Sequence, residues 1–145
     1  MDVARQALIE HQCQQLVLRS IQLFDQQNWK TYAELFTEDG LLIQASQPDK
    51  SLLGRGAIVE ALSQRSPDRL TRHICTNIVI DVEDDKRAAG LCYLLLYAAD
   101  KSQPEDWTGR QVNSPRRVGE YRDQFVRTDL GWRIAERRGT LLFYT

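Results

Sequence analysis

The chain has few residues from which to build cross-linked or metal-bound structure. Its three cysteines, Cys13, Cys75 and Cys92, lie far apart and among apolar neighbours. An odd count without close pairs argues against a disulfide framework and against a zinc site. They read as core thiols in a reducing compartment. Charge of one sign is also scarce: 19 Lys and Arg stand against 20 Asp and Glu, for a formal net charge of -1. Without a basic excess, nucleic acid is not an expected partner. No apolar run reaches the roughly 20 residues that span a bilayer, so no membrane role is expected. The start, Met1-Asp2-Val3-Ala4-Arg5-Gln6, lacks the basic-then-apolar order of a secretory leader, which makes the cytoplasm the expected location. Gly54-Arg55-Gly56 is too short for a phosphate-binding fingerprint. No Gly-x-Ser-x-Gly elbow occurs, which leaves a serine hydrolase without support. Two histidines and no carboxylates at ligand spacing leave no expected metal or cofactor.

What is present suits one globular domain over residues 1–145, with 42% hydrophobic residues to fill one core. Ile9, Cys13, Leu16, Val17, Ile21 and Phe24 recur at three- and four-residue steps and predict an amphipathic helix ending near Asp25-Gln26-Gln27. Asn28 is a good N-cap for a second helix carrying Trp29, Tyr32, Ala33 and Phe36. Thr37-Glu38-Asp39-Gly40 is expected to end it, with Gly40 in a left-handed cap. Leu41–Ala45 and Leu52-Leu53 read as a short hairpin, and Ala57 to about Gln64 as a third helix. From Leu70 the period becomes two. Strands are expected over Leu70–Val82, Ala88–Ala99, Val118–Arg127 and Trp132 to about Tyr144. Leu91–Ala99 is apolar on both faces, which predicts a central strand covered on both sides. The stretch 101–117 is long enough to suggest a binding loop, with Trp107 as an anchor or a ligand contact.

The order predicts an α+β fold: about three N-terminal helices over a strongly curved antiparallel sheet, forming a cone around an apolar pocket. The chemistry then rests on His73. It alternates with Thr71, Cys75, Asn77 and Val79 on one strand face, opposite Ile74, Ile78, Ile80 and Val82. An imidazole there either packs in the core or moves protons. Asp25, one residue past Phe24 at a helix end, is either solvent-facing or turned into the cavity toward an imidazole.

Phe24-Asp25-Gln26-Gln27-Asn28-Trp29, Tyr32, Leu35-Phe36 and Glu38-Asp39-Gly40 resemble the opening of a nuclear transport factor 2-like domain of the SnoaL-like group. Gly54-Arg55-Gly56-Ala57-Ile58, Arg72-His73 with Thr76-Asn77, and Gly131-Trp132-Arg133-Ile134 continue the pattern over nearly the whole chain. The resemblance implies a cystatin-like α+β barrel. In dehydratases and dehydrochlorinases of this superfamily, an aspartate after the first helix and a strand histidine form a dyad, and Asp25 and His73 match those positions. Scytalone dehydratase has a tyrosine before the aspartate, where this chain has Phe24.

The implied function is a cofactor-independent lyase or isomerase, dehydratase-like. His73 would abstract a proton from a small hydrophobic cyclic substrate while Asp25 holds the imidazole tautomer. Trp29, Tyr32, Asn77, Tyr93, Tyr121 and Arg137 are the expected supports around the substrate. The alternative is a non-catalytic ligand carrier, or a small subunit similar to the β chain of a ring-hydroxylating dioxygenase. The doubly apolar strand also predicts self-association through the sheet, as a dimer or trimer.

Overall fold

A computed structural model describes residues 1–145. Helix α1 spans Val3–Asp25, and the Asp2 carboxylate caps it by accepting from the Arg5 backbone N–H at 2.8 Å. Its buried stripe of Ile9, Cys13, Leu16, Val17 and Ile21 follows the helical period and faces the sheet. Helix α2 spans Trp29–Glu34, with the Asn28 side chain accepting from the Thr31 N–H. It stops two residues short of Phe36, which belongs instead to strand β1, Phe36–Ile43. The Ile134 N–H takes the Leu35 carbonyl at 2.9 Å, and this strand pairing draws the chain out of the helix.

Gly40 is therefore a strand residue and not a left-handed cap. Its backbone crosses the Phe36 side chain so closely that a Cβ would sit 2.8 Å from Phe36 Cβ. Strand β2 is Ser51–Leu53, and α3 spans Arg55–Leu62 after Gly54 at φ 89°. Four long strands follow: β3, Arg69–Val82, and β4, Arg87–Asp100, then β7, Arg117–Thr128, and β8, Gly131–Tyr144. Between them Glu105–Asp106 (β5) and Gly109–Arg110 (β6) form a small hairpin. Trp107 sits at its tip, 95% exposed, and anchors nothing.

The main sheet runs β2-β1-β8-β7-β4-β3, antiparallel except for the β1–β8 pair. Strands β2 and β3 lie at opposite edges, so the curved sheet stays open and does not close into a barrel. The helices cover its inner face. Strand β4 lies one position from the edge and is covered on one side only within this chain. Cys92 and Leu94 point into the core, while Tyr93, Leu95 and Tyr97 remain exposed on the outer face.

A bulge changes which residues of β3 share a face. Three steps along β3, from Thr76 to Val79, match two along β4, from Tyr93 to Leu91. Asn77 occupies the left-handed region at φ 52°, which asparagine tolerates better than most residues. Before the bulge Thr71, His73 and Cys75 point inward; after it Ile78, Ile80 and Val82 do. The strict alternation read from the sequence placed these two sets on opposite faces. One extra residue puts both against the core.

The core also sets an alkaline limit on stability. Burial pushes the Cys13 thiol up to about 12, while an unfolded chain ionises near 8.5. Above that unfolded value the native state holds a proton that the unfolded state has lost, so stability falls as pH rises. Between pH 8 and pH 10 this one group is expected to cost about 1–2 kcal/mol. Urea midpoints at the two pH values should converge for Cys13→Ala relative to wild type. Equal pH sensitivity in both proteins would contradict the assignment.

Candidate active site

The end of α1 is built to aim Asp25. Gln27 takes φ 54°, the Gln27 N–H bonds to the Phe24 carbonyl, and the Asn28 N–H reaches back to the Leu23 carbonyl at 3.0 Å. This is a helix stop of the Schellman type, with glutamine where glycine is usual. The reason for the glutamine lies in its side chain. Its amide donates to the carbonyls of Ser66 and Arg69 at 3.0 and 3.1 Å. The helix end is thereby fastened to the start of β3.

Across that joint Asp25 meets His73. Asp25 Oδ1 lies 2.6 Å from His73 Nδ1 and accepts from the Thr71 hydroxyl at 2.8 Å. Oδ2 accepts from the His73 backbone N–H at 3.0 Å. A carboxylate surrounded by two such donors acts as an acceptor, so Nδ1 carries the proton of the third bond. Nε2 of the neutral ring is then free to take a proton. Both side chains are close to buried, at 10% exposure for His73 and 8% for Asp25. The Phe24 ring stands edge-on to the imidazole, with centroids 5.2 Å apart. Such a pair is held by packing as well as by hydrogen bonds.

His73 lines a cavity of about 400 Å³ between the helices and the sheet. That volume lies within the range of small-molecule sites. Phe24, Tyr32, Leu42, Leu94, Leu96 and Tyr121 supply much of its apolar wall. Burial pushes the Tyr32 phenol up, against the pull of nearby Arg137. Burial likewise raises Tyr121. Both therefore remain proton donors across the working pH range.

Of the residues expected around a substrate, the structure brings Tyr32 and Tyr121 to the cavity beside His73 and leaves four elsewhere. Trp29 packs behind the wall, its ring 4.9 Å from Phe24 and 6.4 Å from Tyr32. Asn77 is exposed at the bulge, where its backbone conformation is its evident use. Tyr93 is on the outer face of the sheet, because its strand position has the opposite parity from Leu94. Arg137 is fully buried under the cavity floor. Its Nε and Nη2 each bond to an Asp123 oxygen at 2.8 Å, its Nη1 bonds to Ser20 Oγ, and its charge lies 4.4 Å over the Tyr121 ring. Burial works to lower the Arg137 pKa, but Asp123 outweighs it and holds the group well above its ordinary value.

Several polar residues of the site escaped the sequence reading, among them Thr71, Gln44, Arg65 and Arg117. Thr71 completes the Asp25 shell, and its two-residue offset from His73 was a usable signal. Gln44, Arg65 and Arg117 line the cavity. They come from a strand end, a helix exit and a loop exit, where polar residues are ordinary and carry no signal.

Residues 5–138 match a family described as a SnoaL-like domain. No curated protein matches the chain by sequence. Among solved structures, a protein from Catenulispora acidiphila is 26% identical with a TM-score of 0.73, over 94% of this chain and 93% of its own. A protein from Novosphingobium aromaticivorans, named a candidate scytalone dehydratase, is 19% identical with a TM-score of 0.81, over 99% and 91%. A type 2 hexachlorocyclohexane dehydrochlorinase is 14% identical with a TM-score of 0.80, over 99% and 92%. At those identities the last two likenesses are of fold.

Proposed function

The chain belongs to the SnoaL-like domain family, and from that premise we propose that it is a lyase or isomerase acting on a small hydrophobic cyclic molecule. His73 Nε2 removes a proton from carbon, and Asp25 holds the Nδ1–H tautomer and stabilises the imidazolium that forms. A β-substituent then leaves, or the proton returns at another carbon. The observation that carries this reading is the 2.6 Å Asp25–His73 contact at the wall of an apolar cavity. Dehydratase and dehydrochlorinase names among proteins of the same fold point the same way.

A bicyclic ketone such as 1-tetralone provides the test. In D2O the protein is expected to catalyse deuterium entry at C2, and loss of water from the 3-hydroxy derivative. In that elimination the C2–H electron pair forms the new double bond as the C3–O bond breaks. Binding of these ketones in the cavity without exchange or elimination would favour a ligand carrier and overturn the proposal.

The same proposal includes self-association through the outer face of the sheet. Ile74, Tyr93, Leu95 and Tyr97 are all exposed there, and Ile74 pairs directly with Leu95. A contiguous apolar patch of this kind is usually covered in solution. Light scattering at micromolar concentration should report a dimer or trimer, and a monomer would contradict it. A cytoplasmic setting fits the three free thiols. No helix is long and apolar enough to cross a membrane.

A further inference from the structure

We propose that Arg65 makes this cavity selective for ring compounds carrying an anionic oxygen, either a carboxylate or an enolate formed at the site. The inference rests on reading the cavity as the substrate site. Arg65 lies three residues beyond the end of α3, and its side chain lines the cavity. Its guanidinium carbon sits 5.0 Å from the Phe24 ring centroid, and Nη2 donates to Gln44 Oε1 at 2.7 Å. The imidazole of His73 lies 5.2 Å from the same Phe24 ring. One aromatic side chain therefore contacts both the proposed base and a cation.

No carboxylate lies within ion-pair reach of Arg65. Burial pulls its pKa down, and the groups that oppose this are the hydroxyls of Tyr121 and Tyr32. The cation has thus given up part of its water without gaining an anion. It stays charged regardless, because a guanidinium is not deprotonated in proteins. Of its five N–H donors, one bonds to Gln44. Two carboxylates adjoin the cavity: Asp25, which holds His73, and Glu120, which lines the cavity and lies 3.3 Å from the exposed Arg122 guanidinium. A second arginine, Arg117, lines the same space with its charge 5.9 Å from the Tyr144 ring. With Arg65 and Arg117 set against Glu120 alone, the charge facing the cavity is positive on balance.

This arrangement suits proton abstraction next to a carbonyl. The C–H bond breaks and its proton goes to His73 Nε2. The electron pair forms a C=C bond, and the carbonyl π pair moves onto oxygen. Charge-assisted donors in a poorly hydrated site stabilise that oxygen more than water does. A substrate that already carries a carboxylate would use the same donors for binding.

Three probes with one ring system separate these cases: 2-naphthoate, 2-naphthol and the neutral 2-naphthalenemethanol. The wild-type protein should bind naphthoate about tenfold more tightly than the neutral alcohol. It should also lower the pKa of bound 2-naphthol by about one unit, read by fluorescence. Arg65→Met should abolish both effects and leave the alcohol's affinity unchanged, while Arg65→Lys should restore part of each. A response of naphthoate alone assigns Arg65 to a carboxylate that the substrate brings. A response of naphthol alone assigns it to an oxyanion that forms in turnover. If Arg65→Met binds both acids as wild type does, the proposal is wrong. If the alcohol perturbs the His73 NMR signals but neither acid is preferred, this inference falls and the reading of the cavity stands. If none of the three perturbs His73, both fall.

Discussion

Asp123→Asn is expected to lower the free energy of unfolding by about 3–5 kcal/mol, because it leaves a buried cation without its counter-charge. Arg137 and Asp123 are each about 1% exposed, and they face one another as register partners on β8 and β7. The bidentate bond and the bond to Ser20 give each guanidinium nitrogen a partner within the protein, and the charge stacks on Tyr121. With one partner gone, no water replaces it. Native domains of ordinary stability hold about 5–15 kcal/mol in all, so this loss should be plain in a urea melt. Replacing both charges, as Asp123→Leu with Arg137→Met, should recover much of it, since neither variant side chain needs a partner. A cost below about 1 kcal/mol for Asp123→Asn would mean that solvent reaches the pair.

Asp25→Asn is expected to slow proton abstraction by about 10²–10⁴-fold with the fold retained. The carboxylate oxygens accept from Thr71, from the His73 backbone and from His73 Nδ1. An asparagine can accept on one side only, and its NH₂ group must meet donors on the other. The ring then turns, or shifts its proton to Nε2, and the base is lost without loss of the imidazole. Thr71→Val removes one charge-assisted bond to the carboxylate, worth about 1.5–3 kcal/mol, but keeps both the charge and the Nδ1 contact, and should slow the reaction less than Asp25→Asn does. Circular dichroism and the melting temperature separate these effects from unfolding. Equal losses for the two variants would contradict the assigned roles.

How much of this was legible in the sequence follows from where the information is local. The helix α1 stripe, the Asn28 cap and the long strands are set by periodicity and capping chemistry, and they were readable. The Asp25–His73 pairing came from resemblance, since spacing alone left both residues open to bland readings. The bulge at Asn77 was not readable: nothing in Thr76-Asn77-Ile78 marks an extra residue, and its consequence is fixed by pairing with β4. The same limit explains Phe36 and Gly40, whose strand conformation depends on β8 almost a hundred residues later. Arg137 was expected among the supports around the substrate, and the structure buries it in an ion pair instead. Its partner Asp123 is 14 positions away, and only the β7–β8 register brings the two together.

In the proposed reaction His73 Nε2 is the base. The most direct test of that role is the rate of deuterium entry at C2 of 1-tetralone, compared between wild type and His73→Gln under saturating ketone. Glutamine keeps a polar group of similar reach but cannot accept and release a proton near neutral pH. The exchange rate should fall by about 10²–10⁴-fold with ketone affinity little changed. An exchange rate equal to that of wild type would contradict the role.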